Sequence, residues 1–369
     1  MAQISVAAPA ACPTRRPRAL RFTRSEAYRL SGLLGVVALL HVVGWGAFAY
    51  YTATHPHLGV FAGAGVLAYT FGLRHAFDPD HIAAIDDTTR FMLAKGRQPL
   101  GIGLFFSLGH STVVLALTGV VAFAAGKLST HAVASAHSVG AVIGASVSGS
   151  FLYLVGALNL VILLGIARTW RAMKTGCYRR QELEDLLLQR GLMNRIFGGR
   201  YRTLIDKSWH MYPVGFLFGL GFDTASEIGL LAIAGKAAAD GGLPPVALLS
   251  LPVIFAAGMA LMDTLDGAFM CKAYDWAFTN PLRRVYYNLT TTGLSVAVAL
   301  LIGTVELVGV LAHEFSLHGQ PWAAVSAVSN RFDVLGYVIV GMFVAAWALS
   351  VAYWRVRGIE RRYGHMVTE

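Results

Sequence analysis

The sequence has few charged residues, and few of those are acidic. Only 14% of its 369 residues are charged, and 20 are Asp or Glu, whereas ordinary soluble domains carry about 25% charged residues. With 56% hydrophobic residues, the chain cannot cover a water-facing surface, which argues against a soluble globular enzyme and against disorder. The three cysteines lie far apart and form no C-x-x-C pair, so neither a disulfide framework nor a zinc site is indicated.

Three further motifs are missing from the sequence. It contains no G-x-x-x-x-G-K-[ST] phosphate loop, the usual ATP-binding motif, so we expect no ATP hydrolysis by this chain. It contains no H-E-x-x-H pair of the kind that holds catalytic zinc. It also lacks the long histidine-rich tracts that metal exporters often carry.

Eight stretches have the length and apolarity that are needed to cross a hydrocarbon core of ~30 Å. They predict an all-α integral membrane protein, a bundle of about eight transmembrane helices. The predicted spans are Leu30–Ala53, Gly59–Arg90, Leu100–Ala125, Val139–Ala167, Met211–Gly235, Leu243–Met270, Val285–Leu311 and Val334–Trp354. The transmembrane domain is therefore 30–354, with a basic loop at 168–210 and flanking tails at 1–29 and 355–369.

The basic residues predict the orientation of the chain. If the N-terminus lies inside, 26 of the 30 Lys and Arg residues fall on the cytoplasmic side, as the positive-inside rule requires. Both termini are then cytoplasmic, and the protein is expected in the inner (cytoplasmic) membrane of the cell. This asymmetry explains the net charge of +10 without a nucleic-acid partner. The basic N-terminal tail suits anionic lipid headgroups.

Ionisable residues lie inside the predicted spans, where a charge is costly and usually functional. The second span has 32 residues, or ~48 Å as one straight helix, so we expect it to be bent or broken. His75 lies near its middle. The ionisable residues within spans are His41, Arg74, His75, Asp78, Asp80, His81, His110, Asp223, Glu227, Asp263 and Asp266.

Pro79 is the expected break in the second span. It has no N–H, so the carbonyl of His75 loses its normal helical partner, and a broken helix is tolerated where it lines a cavity. An unwound turn would let His75, Asp80 and His81 converge, although Asp80 points away from this group on a straight helix. Imidazole suits nickel, cobalt, zinc and copper, and carboxylates broaden the choice towards manganese and magnesium. Histidine with carboxylate and without a cysteine or methionine cluster therefore favours a borderline divalent metal ion.

Several of these residues also have a structural interpretation. His41 is explained equally by a packed, hydrogen-bonded histidine, and His110 by a hydrogen bond between helices. Arg74 would neutralise a neighbouring carboxylate rather than contact a cation. Asp86 and Asp87 would lie at the cytoplasmic mouth of the second span. Packing explains the cluster at 75–81 poorly, because five ionisable residues crowd into 74–81.

Four segments resemble the motifs of the nickel/cobalt transporter family, often called NiCoT. They are Arg74–Ile82, Leu108–Thr112, Leu220–Glu227 and Gly258–Gly267. The resemblance implies a secondary permease that imports Ni²⁺ or Co²⁺ as its substrate and has no prosthetic group. His75, Asp80 and His81 match the essential trio of the family, with Asp78 and His110 as further candidate metal ligands and Asp223, Glu227, Asp263 and Asp266 along the transport pathway.

The sequence departs from the family pattern at two positions and carries two residues linked to selectivity. Pro79 stands where the family usually has Ala, and Ser226 where it usually has Thr. The resemblance also implies that His41 and Phe77 set the choice of metal, with His41 as an additional imidazole. This pair goes with transport of both cobalt and nickel, cobalt at least equally.

Two other functions remain open at this point. A metal exporter would use the same kind of site, and an intramembrane metalloenzyme would use the histidines and carboxylates to activate water. Import raises the metal content of cells, export lowers it, and an enzyme changes neither. Metal accumulation therefore separates the three.

Overall fold

The computed structural model of the protein describes residues 22–54, 59–94, 96–124, 130–174, 205–220, 230, 245–277, 281–329 and 331–357, and in these ranges it contains helices and no strand. The α-helices are α1 (Arg24–Thr54), α2 (Gly59–His75), α3 (Pro79–Ala94), α4 (Ile102–Ala124), α5 (Thr130–Lys174), α6 (Met211–Gly219), α7 (Pro245–Leu248), α8 (Ser250–Ala277), α9 (Pro281–Glu314), α10 (Gln320–Ser329) and α11 (Phe332–Arg357).

The chain is an all-α integral membrane protein, as predicted. Within the described residues, five helices are long and apolar enough to cross a membrane, and a sixth span is formed if α10 and α11, bent by 74°, act as one. The predicted number of eight stays a prediction. The predicted fifth span lies largely outside the described residues, because only 211–220 and 230 of it are described.

Two helices extend beyond the predicted spans. The first helix begins earlier, because Thr23 and Glu26 form a capping box: the N–H of Glu26 donates to Thr23 Oγ1 (3.3 Å) and the N–H of Thr23 to Glu26 Oε2 (2.8 Å). Helix α5 continues through Lys174 into the predicted basic loop. The segment between the last two predicted spans contains the short helix α10.

Helix α8 is the centre of the bundle. In its most apolar window 72% of the residues are buried, against 17% for α1. It contacts α1, α2, α3 and α4, while α5 packs along α9 and α6 along α4. The elements that carry the candidate site residues therefore surround one helix.

The second predicted span is broken where expected. Helix α2 ends at His75, and α3 begins at Pro79. In the break, the N–H of Asp78 donates to the carbonyl of His75 (2.9 Å), which replaces the bond that Pro79 cannot make. Proline is favoured at the first position of a helix, where its missing N–H costs nothing. The departure from the family pattern at this position therefore fits the local backbone.

Glycines allow the helices around α8 to approach backbone to backbone. A Cβ added at Gly72 of α2 would lie 2.0 Å from the carbonyl oxygen of Phe255 in α8. One at Gly103 of α4 would lie 1.8 Å from the carbonyl oxygen of Asp263. Small residues at such contacts permit the close packing on which helix association in membranes depends.

We predict that Gly72→Ala destabilises the protein although alanine favours helices. The new methyl group overlaps the backbone of α8, which cannot move as a flexible side chain would, so the free energy of unfolding should fall by about 1–3 kcal/mol. Gly63→Ala in the same helix is the matched control, because nothing lies within 4 Å of its Cβ position. Thermal unfolding in detergent measures both variants, and equal midpoints would contradict the prediction.

Candidate metal site

Three buried histidines from three helices converge beside α8. His75 ends α2, His81 lies in the first turn of α3, and His110 lies within α4. One donor nitrogen from each lies within 4.8 Å of the others, and each side chain is at most 3% exposed. The Nε2 atoms of His75 and His110 are 3.0 Å apart. We call these residues the histidine cluster.

Two carboxylates bind the outer nitrogens of the cluster. Asp78 Oδ2 lies 2.6 Å from His75 Nδ1, and Asp263 Oδ2 lies 3.4 Å from His81 Nδ1. With an ionised carboxylate, which only accepts, each Nδ1 would carry the proton and each Nε2 would keep its lone pair. Nε2 of His81 has no hydrogen-bond partner among the described residues. Paired in this way, the rings present two Nε2 lone pairs for coordination, an arrangement typical of metal-ligating histidines.

The cluster differs in composition from the predicted group of His75, Asp80 and His81. Among the described residues, the donors that meet within 4.8 Å belong to the three histidines and not to Asp80. Helix α3 begins at Pro79, so Asp80 and His81 are successive helical residues that point about 100° apart. Asp80 is partly exposed in the first turn, where the helix dipole favours a carboxylate.

The two residues linked to selectivity lie outside the histidine cluster. The Nδ1–H of His41 donates to the carbonyl of Val37 (2.8 Å), and its Nε2 accepts from the hydroxyl of Tyr69 (3.1 Å). The ring of Phe77 packs against Tyr337 of α11, with centroids 5.1 Å apart. Both side chains therefore contact neighbouring helices.

The remaining predicted site residues are distributed around the cluster. Arg74 lies in the last turn of α2, next to His75. Asp266 follows Asp263 by one turn of α8, and its Oδ2 is buried with no hydrogen-bond partner among the described residues. Asp223 and Glu227 lie outside the described residues.

Sequence reasoning missed a second buried polar group, farther along α3. Asp86 and Asp87 were expected at the cytoplasmic mouth, yet both are at most 1% exposed. Asp86 contacts Arg90, Tyr274 and Ser295, and Asp87 Oδ1 accepts from Asn159 (2.8 Å). The only local signal was the four-residue spacing of Asp86 and Arg90, since the other partners lie on distant helices.

Comparison with known proteins decides the family. The model of a family described as high-affinity nickel-transport protein matches residues 61–353. The chain belongs to this family. The predicted resemblance is thereby confirmed. As a member of this family, the protein is a transporter and not an enzyme.

Individual relatives of this family member cover almost its whole length. The nickel transporter NicT of Mycobacterium tuberculosis is 49% identical over 350 residues, which are 92% of each chain. The nickel transporter NixA of Staphylococcus aureus is 45% identical, with 91% of this chain and 97% of the relative covered. The cobalt transport protein NhlF of Rhodococcus rhodochrous is 43% identical, with 90% and 94% covered. No solved structure matches.

We predict that Asp78 acts on metal through His75 and not as a ligand. In Asp78→Asn the carboxylate charge that orients His75 is lost, so the affinity of purified protein for Co²⁺ should fall about 10- to 100-fold. Asp206→Asn, at an exposed ion pair with Arg97, is the control. Equilibrium binding measures the affinity, and the absorption bands of bound Co²⁺ at saturation report which atoms ligate it. If Asp78 is not a ligand, these bands should keep their positions in Asp78→Asn. Unchanged affinity, or a shift of the bands in Asp78→Asn, would contradict this role.

Proposed function

We propose that this protein is a secondary permease that imports Ni²⁺ and Co²⁺ across the cytoplasmic membrane, with His75, His81 and His110 as the ligands that receive the ion. The observation that carries this proposal is the convergence of three buried imidazoles on one point. Neutral imidazole suits nickel and cobalt, whereas magnesium prefers oxygen and copper(I) prefers sulfur. The names of the relatives, nickel transporter and cobalt transport protein, agree with this donor set.

The carboxylates are proposed to guide the ion to and from the cluster. Asp80, partly exposed beside His81, would attract the hydrated cation. Asp263 and Asp266 on α8 would follow the cluster along the pathway, and Asp223 and Glu227 are included on sequence grounds. Arg74 would balance the negative charge. The metal is the transported substrate, and we propose no prosthetic group.

The membrane potential supplies enough energy for uptake. A divalent cation that moves inward gains ~4.6 kcal/mol per 100 mV of inside-negative potential, twice the value for a single charge. This energy is sufficient to concentrate the ion without ATP, in keeping with the missing phosphate loop. Alternating access would expose the cluster first to the outside and then to the cytoplasm.

We predict that His75→Ala, His81→Ala and His110→Ala each abolish uptake of labelled nickel. Two imidazoles cannot replace the hydration shell of a small divalent ion as three can. His318→Ala is the control, because His318 lies in an exposed turn. Uptake is measured in cells without another nickel importer and normalised to the amount of protein in the membrane. Near-normal uptake in any two cluster variants would overturn the site, and a decrease in cell metal on expression would indicate an exporter.

The choice of metal is proposed to depend on His41 through Tyr69. The hydroxyl of Tyr69 donates to His41, and the backbone of Tyr69 meets α8 at Gly258. The hydrogen bond between His41 and Tyr69 links α1 to α2 at a position six residues before His75. Phe77, packed on Tyr337, would set the distance between the break and α11. Both residues would thus adjust the spacing of the cluster without binding the ion.

We predict that wild-type protein transports both metals, cobalt at least as well as nickel, and that His41→Asn narrows the range towards nickel. Tyr69→Phe removes the hydroxyl that bonds His41 and should shift the range in the same direction. Competition of excess cobalt against labelled nickel uptake measures this. If cobalt fails to compete in wild type, or if Tyr69→Phe leaves competition unchanged while His41→Asn alters it, this reading is wrong.

The orientation is also proposed, with both termini in the cytoplasm. Its support is the distribution of basic residues, 26 of 30 on one side. A phosphatase that is active only outside the membrane, fused after Glu369, should remain inactive. The same enzyme fused within 312–333 should be active, and the reverse pattern would invert the topology.

A further inference from the structure

A buried arginine forms the centre of a polar network that the proposed transport site does not use. The Nη2 group of Arg90 donates to Asp86 Oδ2 (3.2 Å), Ser295 Oγ (2.6 Å) and the hydroxyl of Tyr274. Tyr274 and Ser295 also donate to Asp86. The network therefore connects α3, α8 and α9 through one carboxylate and one guanidinium.

The hydrogen bonds of Arg90 use one nitrogen of the guanidinium. All three come from Nη2, and the Nε and Nη1 atoms have no hydrogen-bond partner among the described residues. The guanidinium carbon also lies 4.6 Å from the centroid of the Tyr274 ring. Arg90 is 2% exposed. A permanent charge at such a site is tolerated because it is paired with Asp86, and a buried carboxylate without this partner would need another cation.

The network lies in line with the histidine cluster. Helices α3 and α8 run in the same direction, since His81 contacts Asp263 and, farther along both helices, Arg90 contacts Tyr274. Asp86 follows His81 by five residues, a rise of about 7.5 Å along the helix. A cation that leaves the histidine cluster and moves towards the C-terminal end of α3 would therefore reach Asp86.

A second carboxylate stands at the level of Asp86. Gly267 of α8 faces Ile85, at 3.7 Å from its Cβ position, so the adjoining residues Asp266 and Asp86 share one level of the two helices. Oδ2 of Asp266 is buried and has no hydrogen-bond partner among the described residues. Oδ1 of Asp263, a residue that is 1% exposed, is likewise without one. Unpaired buried acceptors at two successive levels of α8 are suited to a passing cation.

From this arrangement we infer that Asp86 and Asp266 form a second, oxygen-donor station for the divalent ion, which Arg90 closes by occupying Asp86 when no metal is there. The inference rests on the proposed function, because the histidine cluster supplies the ion. Arriving metal exchanges with the guanidinium on Asp86, and like charge then keeps Arg90 away from the ion. No bond other than coordination and hydrogen bonds forms or breaks.

The chemistry of the two stations differs in the direction that transport needs. Imidazoles hold nickel and cobalt more firmly than carboxylates do, and a carboxylate station that must first displace a bound cation is weaker still. An ion passes along a pathway when each site binds it well enough for the ion to enter and weakly enough for the ion to leave. Arg90 thus prevents the second station from trapping the ion.

The experiment counts metal ions bound to purified full-length protein. Equilibrium dialysis with Ni²⁺ should give one ion per chain in wild type and two in Arg90→Gln, because Asp86 is then free to bind metal. The double variant Arg90→Gln, Asp86→Asn should again bind one ion, because the carboxylate that holds the second ion is lost. Arg97→Gln, at the exposed pair with Asp206, is the control and should bind one ion.

Further variants separate the possible results. The double variant Arg90→Gln, His81→Ala should lose the ion at the histidine cluster and retain the ion at Asp86 and Asp266. Wild-type protein that binds no ion would overturn the proposed function and not this station. If Arg90→Gln does not fold, Tyr274→Phe removes one bond to each charged partner and keeps both charges. It should then bind the second ion at least tenfold more tightly than wild type does. One ion in Arg90→Gln, a second ion that survives Asp86→Asn, or unchanged binding in Tyr274→Phe overturns the inference.

Discussion

Backbone contact between α8 and its neighbours is the constraint on which the candidate site depends. His75 and His81 flank one short turn, whereas His110 belongs to a separate helix, α4. They meet because Gly72 and Gly103 let α2 and α4 come close enough to α8 for a methyl group to be excluded. In a membrane, where apolar side chains gain little by leaving lipid for protein, such close packing is the main source of helix association.

The break between α2 and α3 supplies the second requirement. A continuous helix would carry His75 and His81 past each other by about 9 Å of rise, yet their ring centroids lie 4.6 Å apart. The turn at 76–78 shortens this separation and places Asp78 beside His75. The short irregular segment 76–78 therefore brings the imidazoles of His75 and His81 together and orients that of His75.

The sequence predicted those features that are encoded locally. Membrane spans follow from long apolar runs, and the break follows from Pro79 in a segment too long for the bilayer. The grouping of His75 with His81 also followed, because both flank the break. The inclusion of Asp80 in the group stays a prediction, since its direction depends on the residue at which α3 begins. The pairing of His81 with Asp263 and of Arg90 with Tyr274 joins residues more than 180 positions apart, and helical periodicity carries no information on such contacts.

Helix α3 carries buried polar groups with unpaired acceptors at two levels. The amide of Asn159 donates to Asp87 Oδ1 (2.8 Å) and stabilises α3 against α5. Oδ2 of Asp87 and, nearer the start of the helix, Nε2 of His81 have no hydrogen-bond partner among the described residues. An acceptor that is left unpaired in the interior lowers stability, and an ion bound at His81 would offset that loss.

Helix α11 touches the break directly. A Cβ at Gly336 of α11 would lie 1.6 Å from the carbonyl oxygen of Phe77, so the segment between His75 and Asp78 rests on a helix close to the C-terminus of the chain. A tilt of α11 would therefore displace the turn that connects His75 to α3. A tag or a neighbouring protein that binds the C-terminal part of α11 would then alter the geometry of the candidate metal site without contacting it.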